Sequence, residues 1–322
     1  MLAVTAARIS PDDPLSALEV GRRPDPVPAP GWVRVQVKAA ALNHHDLWTL
    51  RGVGISADRL PIVLGCDAAG VDDHGNQVVV HAVIGDPDAG GGDETLDPRR
   101  SLLSEVHDGT LAEWVCVPAR NLVAKPPELT FAEAACLPTA WLTAYRMLFS
   151  KARVRPGDRV LIQGAGGGVA SAATVLAVAA GCHVTVTSRD PAKRDRAKSL
   201  GAQDVLEPGT RLKARVDVVI ETVGEPTWRH SLASLRPGGV VVVAGATAGA
   251  APPAELNRVF FLQLSVIGST MGTRTELEAL LRFLVTSGIR PQIDRSYPLA
   301  EARQAFGRLL SGEQFGKVVL QA

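Results

Sequence analysis

Two hydrophobic periods divide this chain. Across 33–39 apolar and polar residues alternate (Val33, Arg34, Val35, Gln36, Val37, Lys38, Ala39), the signature of a half-exposed strand. Shorter runs at 18–20, 61–71, 77–83 and 110–117 predict further strands, with glycines breaking 61–71. Residues 23–31 form a proline-laden connection, 85–93 a flexible loop and 118–121 a turn. Residues 40–52 read as a turn entering a short helix, with Asp46 as its cap. This first part is expected to be an antiparallel, barrel-like β domain. Near Leu129 the period changes. Thr130 followed by Glu133 is a capping-box signature and predicts a helix over 130–151.

From 155 to 270 short apolar runs alternate with helical stretches. Strands are expected at 160–162, 183–187, 216–221, 240–244 and 264–268. Helices are expected at 169–180, at 193–200 stopped by Gly201, and ending at 232–235 before Pro237-Gly238-Gly239. That alternation predicts a doubly wound parallel sheet, an α/β architecture. Amphipathic helices at 275–287 and 299–310 and a strand at 317–320 close the chain.

The most informative stretch is 159–189. A buried strand leads into Gly164, Ala165, Gly166, Gly167, Gly168, Val169 and Ala170, then a small-residue helix and a second strand. A strand, glycine turn, helix and strand in about 30 residues is the dinucleotide-binding unit. The pyrophosphate must approach unpaired N–H groups at the helix start, where the dipole favours an anion. Small residues allow that approach. An NAD binder carries an acid at the end of the second strand to grip the ribose 2′-hydroxyl. Here Ser188 and Arg189 hold that place, with Lys193 one turn on, and Asp190 adding an opposing charge. A hydroxyl, a guanidinium and an ammonium suit a 2′-phosphate, so NADP(H) is the expected cofactor.

Composition narrows the classes. The chain has 322 residues, enough for two domains, and a net charge of +1, which builds in no attraction to nucleic acid or membrane. Cys66, Cys116, Cys136 and Cys182 are scattered without a paired spacing, so neither a disulfide framework nor a thiolate zinc cage is suggested. The N-terminus lacks a leader pattern and no apolar run reaches spanning length, so a cytoplasmic enzyme is expected.

The segments ALNHHDLWTLRG, PIVLGCDAAGV, DGTLAEWVCVPARNL, LPTAWLTAYRML, QGAGGGVAS, TSRDPAKRDRAKSLGA, IETVGEPTWRHSLASLRPGG and EQFGKVVL occur in one order. In that order they resemble the medium-chain dehydrogenase/reductase superfamily over nearly the whole chain. The resemblance implies a GroES-like β-barrel catalytic domain (1–123, completed by 271–322) and a Rossmann domain (124–270). It implies an active-site cleft between them and a homodimer joined through Rossmann sheet edges near 264–268. The family's three catalytic zinc ligands fall on Asn43, Cys66 and Thr139, and its four-cysteine lobe on 92–104, which contains no cysteine. Asn and Thr are neutral, weak ligands where zinc favours thiolate and imidazole. The chain therefore resembles the zinc-free branch, which includes quinone oxidoreductases and enal or enone reductases. An improvised metal site at His44, His45 and Cys66 is the rival reading.

Expected roles follow. Asn43, placed where the metal would be, is the candidate donor to a developing oxyanion. His45 aligns with the family's proton relay, and would protonate product near neutral pH. His44 aligns with a cofactor-diphosphate contact. Thr139 and Thr143, four apart on one helix face, are expected at the nicotinamide and phosphate. Thr222-Val223-Gly224, Gly245-Ala246-Thr247 and Ser269-Thr270-Met271 each follow a parallel strand, where ligands lie in such sheets. By resemblance these line the nicotinamide, as does Lys317. The expected reaction is hydride transfer from NADPH to a quinone or activated double bond of a small molecule. The alternatives are an alcohol or aldehyde dehydrogenase and a catalytically silent NADPH binder.

Overall fold

The computed structural model describes residues 1–322. It separates into two compact units, Met1–Leu142 with Met271–Ala322, and Thr143–Thr270. The chain returns to the first unit at Met271. The first crossover lies at 142/143 rather than 123/124, because helix Phe131–Ala135 packs on strands Trp32–Ala41, Asp67–Asp72 and Lys317–Gln321 of the first unit.

In the first unit the alternating strand runs from Trp32 to Ala41 and anchors a large, mostly antiparallel sheet. Asp67–Asp72 lies on one side of it and Lys317–Gln321 on the other, with Val319 opposite Ala41 and Leu320 opposite Ala40. The core beneath combines Val35, Val37, Leu47, Leu50, Leu111 and Phe306 with Val318 and Leu320. The stretch 61–71 is two strands, Ile62–Val63 and Asp67–Asp72, parted at Gly65 with φ +103°. An added Cβ there would strike Leu111 and Thr110 at 2.6 Å, so glycine is required. Helix His44–Leu50 begins after Asn43, not at Asp46. Asp46 instead reaches back three residues, its Oδ2 accepting from the Asn43 N–H at 2.8 Å.

The predicted helix 130–151 starts as expected, with Thr130 and Glu133 closing a capping box. It is not uniform. Wide i→i+5 turns at Leu137–Trp141 and Arg146–Lys151 flank a regular turn, Leu142–Tyr145. Pro138 lacks an N–H and its ring opposes the preceding turn, which accounts for the first wide turn.

The second unit holds a six-stranded parallel sheet. Its order is Asp204–Leu206, His183–Thr187, Arg159–Gln163, Val216–Glu221, Leu235–Val243, Ser265–Gly268. Numbered along the chain this is 3-2-1-4-5-6, the doubly wound dinucleotide order. The direction of winding reverses between Arg159–Gln163 and Val216–Glu221. Ligands lie outside the carboxyl ends of strands at such a reversal. Strand Ser265–Gly268 has an unpaired outer edge. No helix is long and apolar enough to cross a membrane.

Candidate active site

The glycine loop leaves strand Arg159–Gln163 through Gly164, whose φ of +85° favours glycine. Helix Gly168–Ala179 starts at Gly167, an extended residue that offers no side-chain cap. The helix's first N–H groups therefore keep no intrahelical or side-chain acceptor. A Cβ built on Gly167 meets nothing within 4 Å, so the space over the helix start is open. These are the features a pyrophosphate needs, and Gly164 to Ala170 fit a dinucleotide. Gly164 is required by its backbone conformation, whereas Gly167 leaves open space over the helix start, a division the sequence alone did not separate.

Strand His183–Thr187 ends at Ser188 with no acid. The Asp190 carboxylate is engaged as the cap of helix Pro191–Ser199, accepting from Ala192 N–H at 2.8 Å. Arg189 is exposed, and the Ser188 carbonyl is held by Arg194 at 2.7 Å. Across the winding reversal, Val223 and Gly224 N–H groups donate to the buried Glu221 carboxylate at 2.8 and 3.1 Å. Gly224 has φ +96°, and a Cβ there would collide with the Gly249 carbonyl. The next loop is zipped onto this one, with Thr247 N–H donating to Thr222 O at 3.2 Å and Ala248 N–H to Val223 O at 2.8 Å. Thus Thr222-Val223-Gly224 and Gly245-Ala246-Thr247 form one layer beside Gly164. Ser269 follows the edge strand, its hydroxyl buried without a partner. Thr143 is buried in this unit and Thr270 is exposed.

Met271 departs from expectation. Its side chain packs with Cys66, Ala82 and Val83 in the first unit, an apolar cluster that leaves only 7% of it exposed. Its backbone stays in the bend after strand Ser265–Gly268, with φ +50°, but its side chain is taken up by packing.

In the first unit the turn at Asn43 carries a closed network. The Lys317 ammonium donates to Asp67 Oδ2 at 2.8 Å, Asn43 Oδ1 at 2.6 Å and Leu42 O at 2.7 Å. Asn43 Nδ2 donates to the same Asp67 oxygen at 2.9 Å. Lys317 and Asp67 side chains are 2% and 0% exposed. Two expectations change here. Asn43's amide is engaged inside the protein and is not a free oxyanion donor. All three donors of Lys317 are engaged in the same network, which leaves none for a nicotinamide. Asp67 was missed; its signal was an acid beginning an otherwise apolar strand.

His45 is likewise corrected. Burial pushes its pKa down to about 4, so at neutral pH it is an uncharged imidazole with one ring N–H and holds no second, acidic proton to give up. Its Nε2 is buried without a hydrogen-bond partner, 3.8 Å from Glu105 Oε1. Thr139 Oγ1 is also buried and unpartnered. Half-buried His44 has its pKa lowered by burial and then by the Lys317 and Arg51 charges.

The zinc that this architecture implies does not fit these residues. At the three positions, Asn43 is engaged with Lys317 and Asp67, and Thr139 is a neutral hydroxyl. The Cys66 thiol donates to Leu103 O at 3.1 Å, and burial holds its pKa far above the thiolate range. No group of three or more His, Cys, Asp or Glu side chains is arranged for a metal ion, which includes His44, His45 and Cys66.

Residues 29–127 match the alcohol dehydrogenase GroES-like domain family, and 168–286 the zinc-binding dehydrogenase family. The chain is 31% identical to a zinc-type alcohol dehydrogenase-like protein of Schizosaccharomyces pombe, with 91% of each covered. It is 30% identical to acryloyl-coenzyme A reductase of Metallosphaera sedula, covering 94% of this chain and 96% of that one. Among solved structures, an NAD-dependent alcohol dehydrogenase superposes with a TM-score of 0.91 at 35% identity, with all of each chain covered. A 2-octenoyl-CoA carboxylase reductase in complex with NADP and 2-octenoyl-CoA gives 0.91 at 27% identity, covering 100% of this chain and 87% of that one. The chain belongs to the medium-chain dehydrogenase/reductase superfamily and is an NAD(P)-dependent oxidoreductase of it.

Proposed function

We propose that this protein is an NADPH-dependent reductase of electrophilic acceptors, acting without zinc. The favoured acceptor is a carbon–carbon double bond conjugated to a carbonyl, with quinones as chemical analogues. The carrying observation is the Lys317–Asp67–Asn43 network, which commits Asn43, one of the three positions where the family holds zinc, to hydrogen bonds within the protein. An acceptor that is already electrophilic requires no Lewis acid, whereas an alcohol requires one to acidify it. The enoyl-CoA chemistry named for two of the similar proteins supports the same direction.

NADPH, when bound, supplies a hydride from its nicotinamide. The chain's own residues bind and orient. Gly164 to Ala170 hold the pyrophosphate; Ser188, Arg189 and Lys193 hold the 2′-phosphate. The buried, unpartnered Nε2 of His45 and Oγ1 of Thr139 are the polar atoms left for an acceptor oxygen. The alcohol dehydrogenase names among the similar proteins favour a second reading, alcohol or aldehyde oxidoreduction.

The unpaired edge of strand Ser265–Gly268, with half-exposed Val266 and the exposed Phe260 and Phe261 beside it, is assigned to a second copy of the chain. Light scattering on a size-exclusion column checks the dimer. Oxidation of NADPH and NADH is followed with an enone, an enoyl thioester, a quinone and an aldehyde, each with and without chelator. Fast chelator-insensitive enone or enoyl reduction with NADPH is expected. Chelator-sensitive alcohol oxidation would overturn the proposal, and tight binding without any turnover would favour a silent binder.

A further inference from the structure

A single hydrogen-bonded rail crosses three strands beneath the nucleotide loops. The Gly164 N–H donates to Thr187 Oγ1 at 3.3 Å. The Thr187 hydroxyl donates to Gln163 Oε1 at 2.7 Å, and Gln163 Nε2 donates to Ser231 Oγ at 3.0 Å. The Ser231 hydroxyl donates to Glu221 Oε2 at 2.6 Å. Glu221 then accepts from Val223 N–H, Gly224 N–H and Thr227 Oγ1. Gln163, Thr187, Glu221 and Ser231 are each no more than 1% exposed. None of them was singled out by sequence; each is a polar residue inside or behind an apolar strand.

The polarity runs one way. Every group between Gly164 and Glu221 accepts from one side and donates toward the carboxylate. Such a chain polarises each link and has no alternative arrangement of comparable satisfaction. Gln163's second amide hydrogen meets His230 Nδ1 at 3.0 Å, whose Nε2 faces Thr210 O at 2.9 Å, so the amide cannot rotate without loss. One end of the rail is the first backbone N–H of the phosphate loop. The other end is two successive N–H groups of the Thr222-Val223-Gly224 loop.

Resting on the dinucleotide reading, we propose that Thr187, Gln163, Ser231 and Glu221 are positioning residues. They set the distance between the phosphate loop and the nicotinamide-side loop, so that both halves of the cofactor are held in one register. They touch no cofactor atom. A buried carboxylate fixing two loop N–H groups is pre-organisation, which lowers the ordering cost of binding.

The test uses the full chain with Thr187→Val, Thr187→Ser and Ser231→Ala, alongside Glu221→Gln. Affinities are measured for NADPH and NADH, and for adenosine 2′,5′-bisphosphate, which carries no nicotinamide. Ser231→Ala and Thr187→Val should weaken NADPH by about ten-fold, the loss expected for one buried hydrogen bond. They should weaken the bisphosphate by less than about two-fold, within the background of remote substitutions. Thr187→Ser restores the hydroxyl and should restore NADPH affinity. Should Glu221→Gln misfold, the milder variants carry the test. Equal weakening of both ligands, or no rescue by serine, would reduce the rail to a structural role and overturn the inference. Wild-type protein that binds neither NADPH nor NADH would instead overturn the dinucleotide reading beneath it.

Discussion

Replacing Lys317 by Met tests the network at Asn43 most directly. Met keeps the length of the side chain and removes the ammonium. Asp67 then keeps only the Asn43 amide on Oδ2, while its Oδ1 is already unpartnered. Asn43 Oδ1 and Leu42 O lose the same donor. Removing one partner of a buried pair costs about 3–5 kcal/mol, because an uncompensated charge stays inside. With a urea m-value of about 3 kcal/mol/M, the midpoint should fall by about 1 to 1.7 M. Four of the five tryptophans lie in the first unit, so intrinsic fluorescence reports its unfolding. Adding Asp67→Asn to the Lys317→Met variant removes the stranded charge and should recover about 2 kcal/mol or more. A single-variant loss under about 1 kcal/mol, or two single losses that simply add in the double variant, would refute the account.

Other consequences follow from the same geometry. Gly167→Asp supplies the missing helix cap and fills open space, so thermal stability should hold or rise while NADPH affinity falls about ten-fold or more, measured by melting and fluorescence titration. Arg189→Ala should weaken NADPH by about ten-fold and NADH by less than about two-fold; equal losses would remove the 2′-phosphate assignment. Burial raises the Asp46 pKa from 3.8 to about 7, so the folded chain binds more protons than the unfolded one across that window. Stability from this group is thus present at acid pH and lost as pH rises toward 7. Asp46→Asn should therefore gain about 2–3 kcal/mol relative to wild type between pH 5 and 8 in urea titrations; a constant difference would show that Asp46 does not titrate there.

The Rossmann unit was legible because its signals are local. Strands 183–187 and 216–221 match the observed bounds, and Gly201 ends its helix at φ +98°. Those elements are fixed by runs of β-branched residues and by glycine, which act within a few positions. Helix Leu256–Phe261 and strand Ile293–Pro298 were not anticipated. The helix shows Leu256, Phe260 and Phe261 to solvent, so no apolar-inward pattern marks it, and the strand is held mainly by its partner Lys317–Gln321. The candidate site was legible as positions and not as chemistry. Asn43, His45 and Lys317 were each found, yet their states depend on burial and on Asp67, which lies distant in sequence. Spacing carries no record of desolvation, and desolvation decides whether an imidazole is charged and whether an amide is free.

The pairing of Lys317–Gln321 with Trp32–Ala41 also has a consequence for the order of synthesis. Lys317 and Asp67 are separated by 250 positions, so the aspartate leaves the ribosome long before its cation exists. The contiguous unit Thr143–Thr270 can close on itself during that interval. The first unit waits with an unfilled sheet edge and an unneutralised interior acid until Lys317–Gln321 emerges. Completion of its core therefore follows that of the contiguous unit, and nascent chains short of Lys317 are the ones most exposed to surveillance by chaperones and proteases.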